Sequence, residues 1–343
     1  MDQSAMPTSA PSRPPSALLI GIGLLILYVV WGSTYLGIAV AVESMPPFLM
    51  AGSRFAVAGL LMLGLAVVFG RGLGPVRLPT RRELRDSTIV GGLLMGGGMG
   101  MVALGEETVP SGIAALLIAM MPLWVAVIGR AFFRERLPWL AIVGIVIGLA
   151  GVGILVGPTG EGAMSFNPGG ILALIISPIC WSSGSLYSAH RAQLPPNPLV
   201  ATSFQMLTGS VVLAVMAVFR GEYDSFALEA VTFESMLGWT YLVMIGSLVA
   251  FTAYVWLLRV APLPLIATYA YVNPIVAVGL GAFVLNEPVT ARTLVVGGVI
   301  VFAVALIITS RSRMSAAPRE ASAEAPERRR ATPPPPEREP EAA

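Results

Sequence analysis

Ten stretches of this chain are apolar and long enough to cross a lipid bilayer as helices. They lie at roughly 18–38, 47–69, 88–105, 111–130, 138–156, 168–188, 199–219, 235–257, 263–284 and 292–310. Crossing the hydrocarbon takes about 20 residues of helix. The runs show no period-2 alternation, which argues against a membrane barrel. The 343 residues are 55% hydrophobic and only 12% charged, so the spans use almost the whole chain. The expected fold class is an all-α polytopic membrane protein with ten transmembrane helices. The run at 18–38 reads as a first span rather than a cleaved signal peptide, because it is long and nine more follow it.

The two polar ends bury no core. Residues 1–16 are Pro/Ser-rich and 312–343 Pro/Glu/Arg-rich, and both are expected to be disordered. All 21 basic residues are arginine, which excludes a P-loop lysine and a Schiff-base lysine. The glycine run "GGGMG" at 96–100 lacks the Lys-Ser/Thr of a phosphate loop and falls within a span. Asp2, Asp86 and Asp224 lie outside the spans, against a two-aspartate intramembrane protease. One cysteine, Cys180, permits no internal disulfide. With one histidine, Ser185 and His190 form the only formal catalytic pair. The expectation is no enzymatic activity, no cofactor and no metal.

Arginine placement sets orientation. Arg71, Arg77, Arg81, Arg82, Arg85, Arg130, Arg134, Arg136, Arg191, Arg259, Arg311 and Arg313 would share one side. The opposite loops hold Arg220 and Arg292 with Glu43, Glu106, Glu107, Glu161, Glu222, Asp224, Glu229 and Glu234. Both termini are therefore expected to be cytoplasmic. The basic loops report orientation rather than nucleic-acid binding.

The halves resemble each other. "VPSGIAALLIAMMPLWVAVIGRAFFRERLP" (109–138) aligns without a gap on "APLPLIATYAYVNPIVAVGLGAFVLNEPVT" (261–290). Pro122 then matches Pro274, and Glu135 matches Glu287. "WGSTY" (31–35) answers "WSSGS" (181–185), and Arg54 falls opposite Gln205. The repeat units are 17–157 and 158–311, five spans each. Five is odd, so the second copy enters from the other side. Inverted repeats are the usual architecture of secondary transporters, with sites at the repeat interface near the midplane.

Three segments carry a resemblance: "WGSTYLGIAVAVESMPPFLMAGSRFAVAGLL" (31–61), "SGIAALLIAMMPLWVAV" (111–127) with "RERL" (134–137), and "TYAYVNPIVAVGLGAFVLNEP" (268–288). Together and in this order they resemble the drug/metabolite transporter superfamily, in its bacterial ten-span branch of EamA-type permeases. The resemblance covers about residues 18–310. It implies two five-helix bundles in the inner membrane and a central cavity lined mostly by spans 1, 3, 4, 6, 8 and 9. It also implies alternating access and export of amino acids, other metabolites or drugs.

Candidate cavity residues are the polar and aromatic groups at membrane depth. Pro274 removes a bond to the Ala270 carbonyl and kinks span 9. Tyr269 and Asn273 share one face there, Thr268 and Tyr271 another. Pro122 is the mate of Pro274, and Pro178 frees the Leu174 carbonyl in span 6. Trp31, Thr34 and Tyr35 share a face of span 1, with Trp31 too deep for the interfacial belt. Trp181 and Ser183 answer in span 6, and Tyr254 in span 8 is a weaker candidate. Each also has a packing reading, in which small and polar groups bond neighbouring helices.

Arg54 is the one arginine well inside a span, about 10 Å from its outer end at the helical rise. It is read as pairing with Glu43 or Glu106 or snorkelling outward, with capture of a substrate carboxylate as the alternative. Glu135 and Glu287 are expected to cap helix ends or clasp loops. Gly144, Gly148, Gly151, Gly153, Gly297 and Gly298 suggest close helix packing in spans 5 and 10, where a homodimer contact is the alternative to a monomer. No Asp or Glu lies mid-span, which leans toward facilitated or weakly coupled export. The expected partners are a small organic solute and the bilayer. A channel-like facilitator or a non-transporting receptor is the alternative.

Overall fold

A computed structural model of the chain describes residues 17–135, 137–156, 167–261, 263–266 and 268–330. Among these no strand occurs. The main helices in chain order are α1 (Ala17–Val42), α2 (Pro47–Leu73), α3 (Arg81–Glu106), α4 (Ser111–Phe132), α5 (Trp139–Leu155), α6 (Pro168–His190), α7 (Pro198–Arg220), α8 (Phe233–Tyr254), α9 (Tyr269–Val284) and α10 (Ala291–Ser310). Eight of these are long and apolar enough to cross a membrane; α5 and α9 are shorter apolar helices. The helix that opens with α10 continues to Arg330, where the sequence suggested an unstructured tail. The expected disordered segments 1–16 and 331–343, the linker 157–166 and Pro262 lie outside the described residues.

Lipid tails are as apolar as leucine, so close packing rather than water exclusion holds such helices together. Glycines make it possible. A methyl group at Gly91 of α3 would stand 2.2 Å from the Gln205 carbonyl oxygen of α7. At Gly144 of α5 it would stand 2.8 Å from the Ala303 carbonyl oxygen of α10. Gly151 also faces α10, and Gly148 packs against Met120 of α4 and Ala303 of α10. Gly97 and Gly98 admit Cys180 and Trp181 of α6, which gives the "GGGMG" run its role. The α2–α7 and α3–α6 pairs are the two most extensive helix contacts.

Helix starts are tied to distant loops. Asn197 caps α7 by accepting from Leu199 N at 3.0 Å, and its amide donates to the carbonyls of Gly70, in the last turn of α2, and Gly74, just past it. Glu222, past α7, accepts from Phe48 N and Leu49 N at the start of α2. Glu287, past α9, accepts from Ser111 N at 2.7 Å and Gly112 N at 3.1 Å at the start of α4. The capping role expected of Glu287 is thus seen across helices. Arg134 and Asn286 are the only described non-glycine residues with positive φ, at 55° and 54°. Beside each, the next amide bonds back to a glycine: Glu135 N to Gly129 O, and Glu287 N to Gly281 O.

Regular helix gives way at several points. Wider π turns occupy Leu27–Trp31, Gly92–Gly100 and Leu242–Val249. The predicted continuous span at 111–130 breaks after Ile118, and a second helix starts at Met121 with Pro122 in its first turn. A proline costs little there, because first-turn amides have no helical acceptor. Pro274, in contrast, lies inside α9, and the interruption comes earlier, between a short helix Leu263–Ile266 and Tyr269.

Candidate functional site

The helices leave a cavity of about 910 Å³, counting its open mouth, between α1, α2, α3, α4, α6, α8 and α9. Its wall brings together Trp31, Thr34 and Tyr35 of α1, Arg54 of α2, Pro122 of α4, Pro178 and Trp181 of α6, and Tyr269, Asn273 and Pro274 of α9. Residues from opposite ends of the chain thus meet, because α1 and α9 pack directly against each other. The three π turns all deliver wall residues: Trp31, Met99 and Gly246. An extra residue per turn re-aims side chains, a frequent device at functional sites.

Trp31 is held by its neighbours. Its ring stands edge-on to Tyr269 with centroids 4.8 Å apart and to Phe251 at 5.7 Å. Tyr254 does not line the cavity; it lies tilted behind Trp31 at 5.2 Å and holds it in place. Thr34 donates its hydroxyl to the Trp31 carbonyl at 2.6 Å. Asn273 is buried, and its side-chain oxygen has no hydrogen-bond partner among the described residues.

Several candidates fall elsewhere. Ser183 returns its hydroxyl to Ile179 of its own helix at 2.8 Å, whereas Ser182 reaches α4 and donates to the Met121 carbonyl at 3.1 Å. Tyr271 packs with the apolar cluster of α4, α5 and α10. Glu43 lies in a separate polar depression with Glu107, Glu222 and Arg220. There Arg220 bridges Glu107 at 2.6 Å and Glu222 at 3.0 Å. His190 bonds the Leu186 carbonyl and approaches Glu135 at 3.4 Å, with its ring on Phe133.

The clasp expected of Arg54 does not form. Its side chain is 2% exposed, so it does not snorkel. Among the described residues it joins no ion pair. Glu43 belongs to the outer depression, and Glu106 is buried with no side-chain hydrogen bond among the described residues. Arg54 Nε instead donates to Ser247 Oγ at 3.1 Å, and the guanidinium lies 4.8 Å from the Phe55 ring centroid. Among the described residues it is the single charged side chain in the cavity wall. Sequence reading missed Ser247, Gly246 and Phe251, as well as Tyr241, whose hydroxyl meets Ser33. Small residues in an apolar run carry no signal of their own.

Comparison with known proteins gives this arrangement a lineage. The EamA-like transporter family matches the chain twice, over residues 19–157 and 168–309. An Escherichia coli K12 protein named "Uncharacterized inner membrane transporter YedA" is 39% identical over 298 residues, covering 86% of this chain and 92% of the relative. A Salmonella typhimurium protein named "Probable amino-acid metabolite efflux pump" is 25% identical over 305 residues, covering 82% and 92%. One crystal structure is similar with a TM-score of 0.59 at 20% identity, over 87% of this chain and 99% of that one; at that identity the likeness speaks for the fold alone. The chain belongs to the EamA-like transporter family, part of the drug/metabolite transporter superfamily, and is a multi-pass inner-membrane transporter.

Proposed function

We propose that the protein exports small organic solutes, amino acids or related metabolites and drugs among them, by alternating access. The spans number ten, with both termini cytoplasmic, in two inverted five-helix repeats. The observation that carries this reading is a cavity whose wall draws aromatic and polar groups from both halves of the chain. Trp31, Tyr35, Trp181, Tyr269 and Asn273 contact the solute, and the breaks near Pro122 and Pro274 let the walls move. The paired positive-φ residues Arg134 and Asn286, which align in the repeat, support a common ancestry of the halves.

The test is flux in proteoliposomes against a panel of amino acids, aromatic metabolites and drugs. Saturable turnover at carrier-like rates is expected, and stepwise conductance would contradict it. Asn273→Ala should lower transport about tenfold, the weight of one buried hydrogen bond to a solute, without impairing membrane insertion. Unchanged kinetics would remove Asn273 from the site.

A further inference from the structure

Arg54 gives the cavity a charge that the other described wall residues lack. A buried charge is costly unless it is paired and its donors are used. Arg54 has five N–H donors, of which Nε is spent on Ser247. Phe55 lies against the guanidinium. Glu106, also buried, does not reach ion-pair distance of it. Gly246 borders the group from α8: a methyl there would stand 3.4 Å from Nη2 of Arg54, an ordinary contact, and 3.0 Å from the Thr34 methyl. The guanidinium is thus buried, borders the cavity and forms no ion pair with a carboxylate among the described residues.

We propose that Arg54 is the specificity residue of the cavity, holding the carboxylate of an anionic solute whose apolar body lies on the aromatic wall; this role rests on the exporter reading of the same cavity. Guanidinium and carboxylate match as planar forks and form charge-assisted hydrogen bonds. Trp31, Tyr35, Trp181 and Tyr269 supply the apolar surface. The same fixed positive charge disfavours lipophilic cations.

Three probes share one body and differ in head group: 3-phenylpropanoate, 3-phenylpropan-1-ol and 3-phenylpropan-1-amine. Binding to the full chain in nanodiscs is read by quenching of tryptophan fluorescence, since Trp31 and Trp181 line the cavity. The carboxylate should bind about tenfold more tightly than the alcohol, as one charge-assisted hydrogen bond would give, and the amine most weakly. Arg54→Gln should reduce the carboxylate to the level of the alcohol, with a circular dichroism spectrum like the parent's reporting an intact fold. Arg54→Lys, which keeps the charge and loses the fork, should fall between the two and decides the matter if Arg54→Gln is misfolded. Equal binding of carboxylate and alcohol, or a preference that survives both substitutions, overturns the proposal. So does failure of the carboxylate to bind at all. If the alcohol or amine is transported and the carboxylate is not, this inference falls and the exporter reading stands; if no solute of the wider panel moves either, both fall.

Discussion

At the scale of the residue, the same amino acid means different things at different depths of packing. Gly91 touches the α7 backbone, whereas Gly64 of α2 has nothing within 4 Å of where a methyl would sit. Gly91→Ala should therefore destabilise the protein by about 1–3 kcal/mol through overpacking. Gly64→Ala should be neutral or stabilising by up to about 1 kcal/mol, because alanine is the better helix former. Thermal melts in detergent distinguish the two, and equal shifts would mean that α3 and α7 are not in close contact. The candidate site was legible where a residue was improbable for its surroundings. Trp31 and Asn273 stood out at membrane depth, whereas Ser247 and Gly246 looked like ordinary members of an apolar run.

At the scale of the element, several helix starts in this protein depend on a side chain from elsewhere in the chain. The first amides of any helix lack internal acceptors, and lipid cannot supply them. Glu287 meets that need for α4, and an anion also suits the positive end of the helix dipole. Glu287→Ala should cost about 1–2 kcal/mol, the usual scale of an N-cap loss. Hydrogen exchange should accelerate at the Ser111 and Gly112 amides first; exchange unchanged there would show that the clasp is not formed in the membrane. Sequence indicated that Glu287 ends a helix. It did not indicate which helix it caps, since that partner is 175 to 176 residues away. The kinks were legible only in part. Pro122 and Pro274 align, but one opens a helix and the other lies inside one, because the local break falls wherever neighbouring helices can satisfy the freed groups.

At the scale of the whole molecule, alternating access requires the two faces to open in opposition. On one face Glu287 ties α9 to α4 and Arg220 ties α7 to the end of α3; on the other Asn197 ties α7 to the end of α2. Spin-label pairs placed at Thr108 with Val289, and at Leu78 with Gln193, report one face each. When a transported solute is added, the two distances should shift in opposite directions. Parallel shifts, or none, would count against alternating access.

By itself the sequence determined that the chain is helical and lives in a bilayer, that its halves are related, and which family it joins. Those rest on hydropathy, on the ban on unpaired backbone in lipid and on the order of short motifs, all of which are local or periodic. Only the tertiary structure decided which candidates share a cavity, that Tyr254 supports Trp31 from behind, that Ser182 rather than Ser183 bridges two helices, and that Arg54 is buried without an ion-pair partner among the described residues. These depend on how helices far apart in sequence rotate and cross, which the packing of small residues sets and hydropathy does not encode.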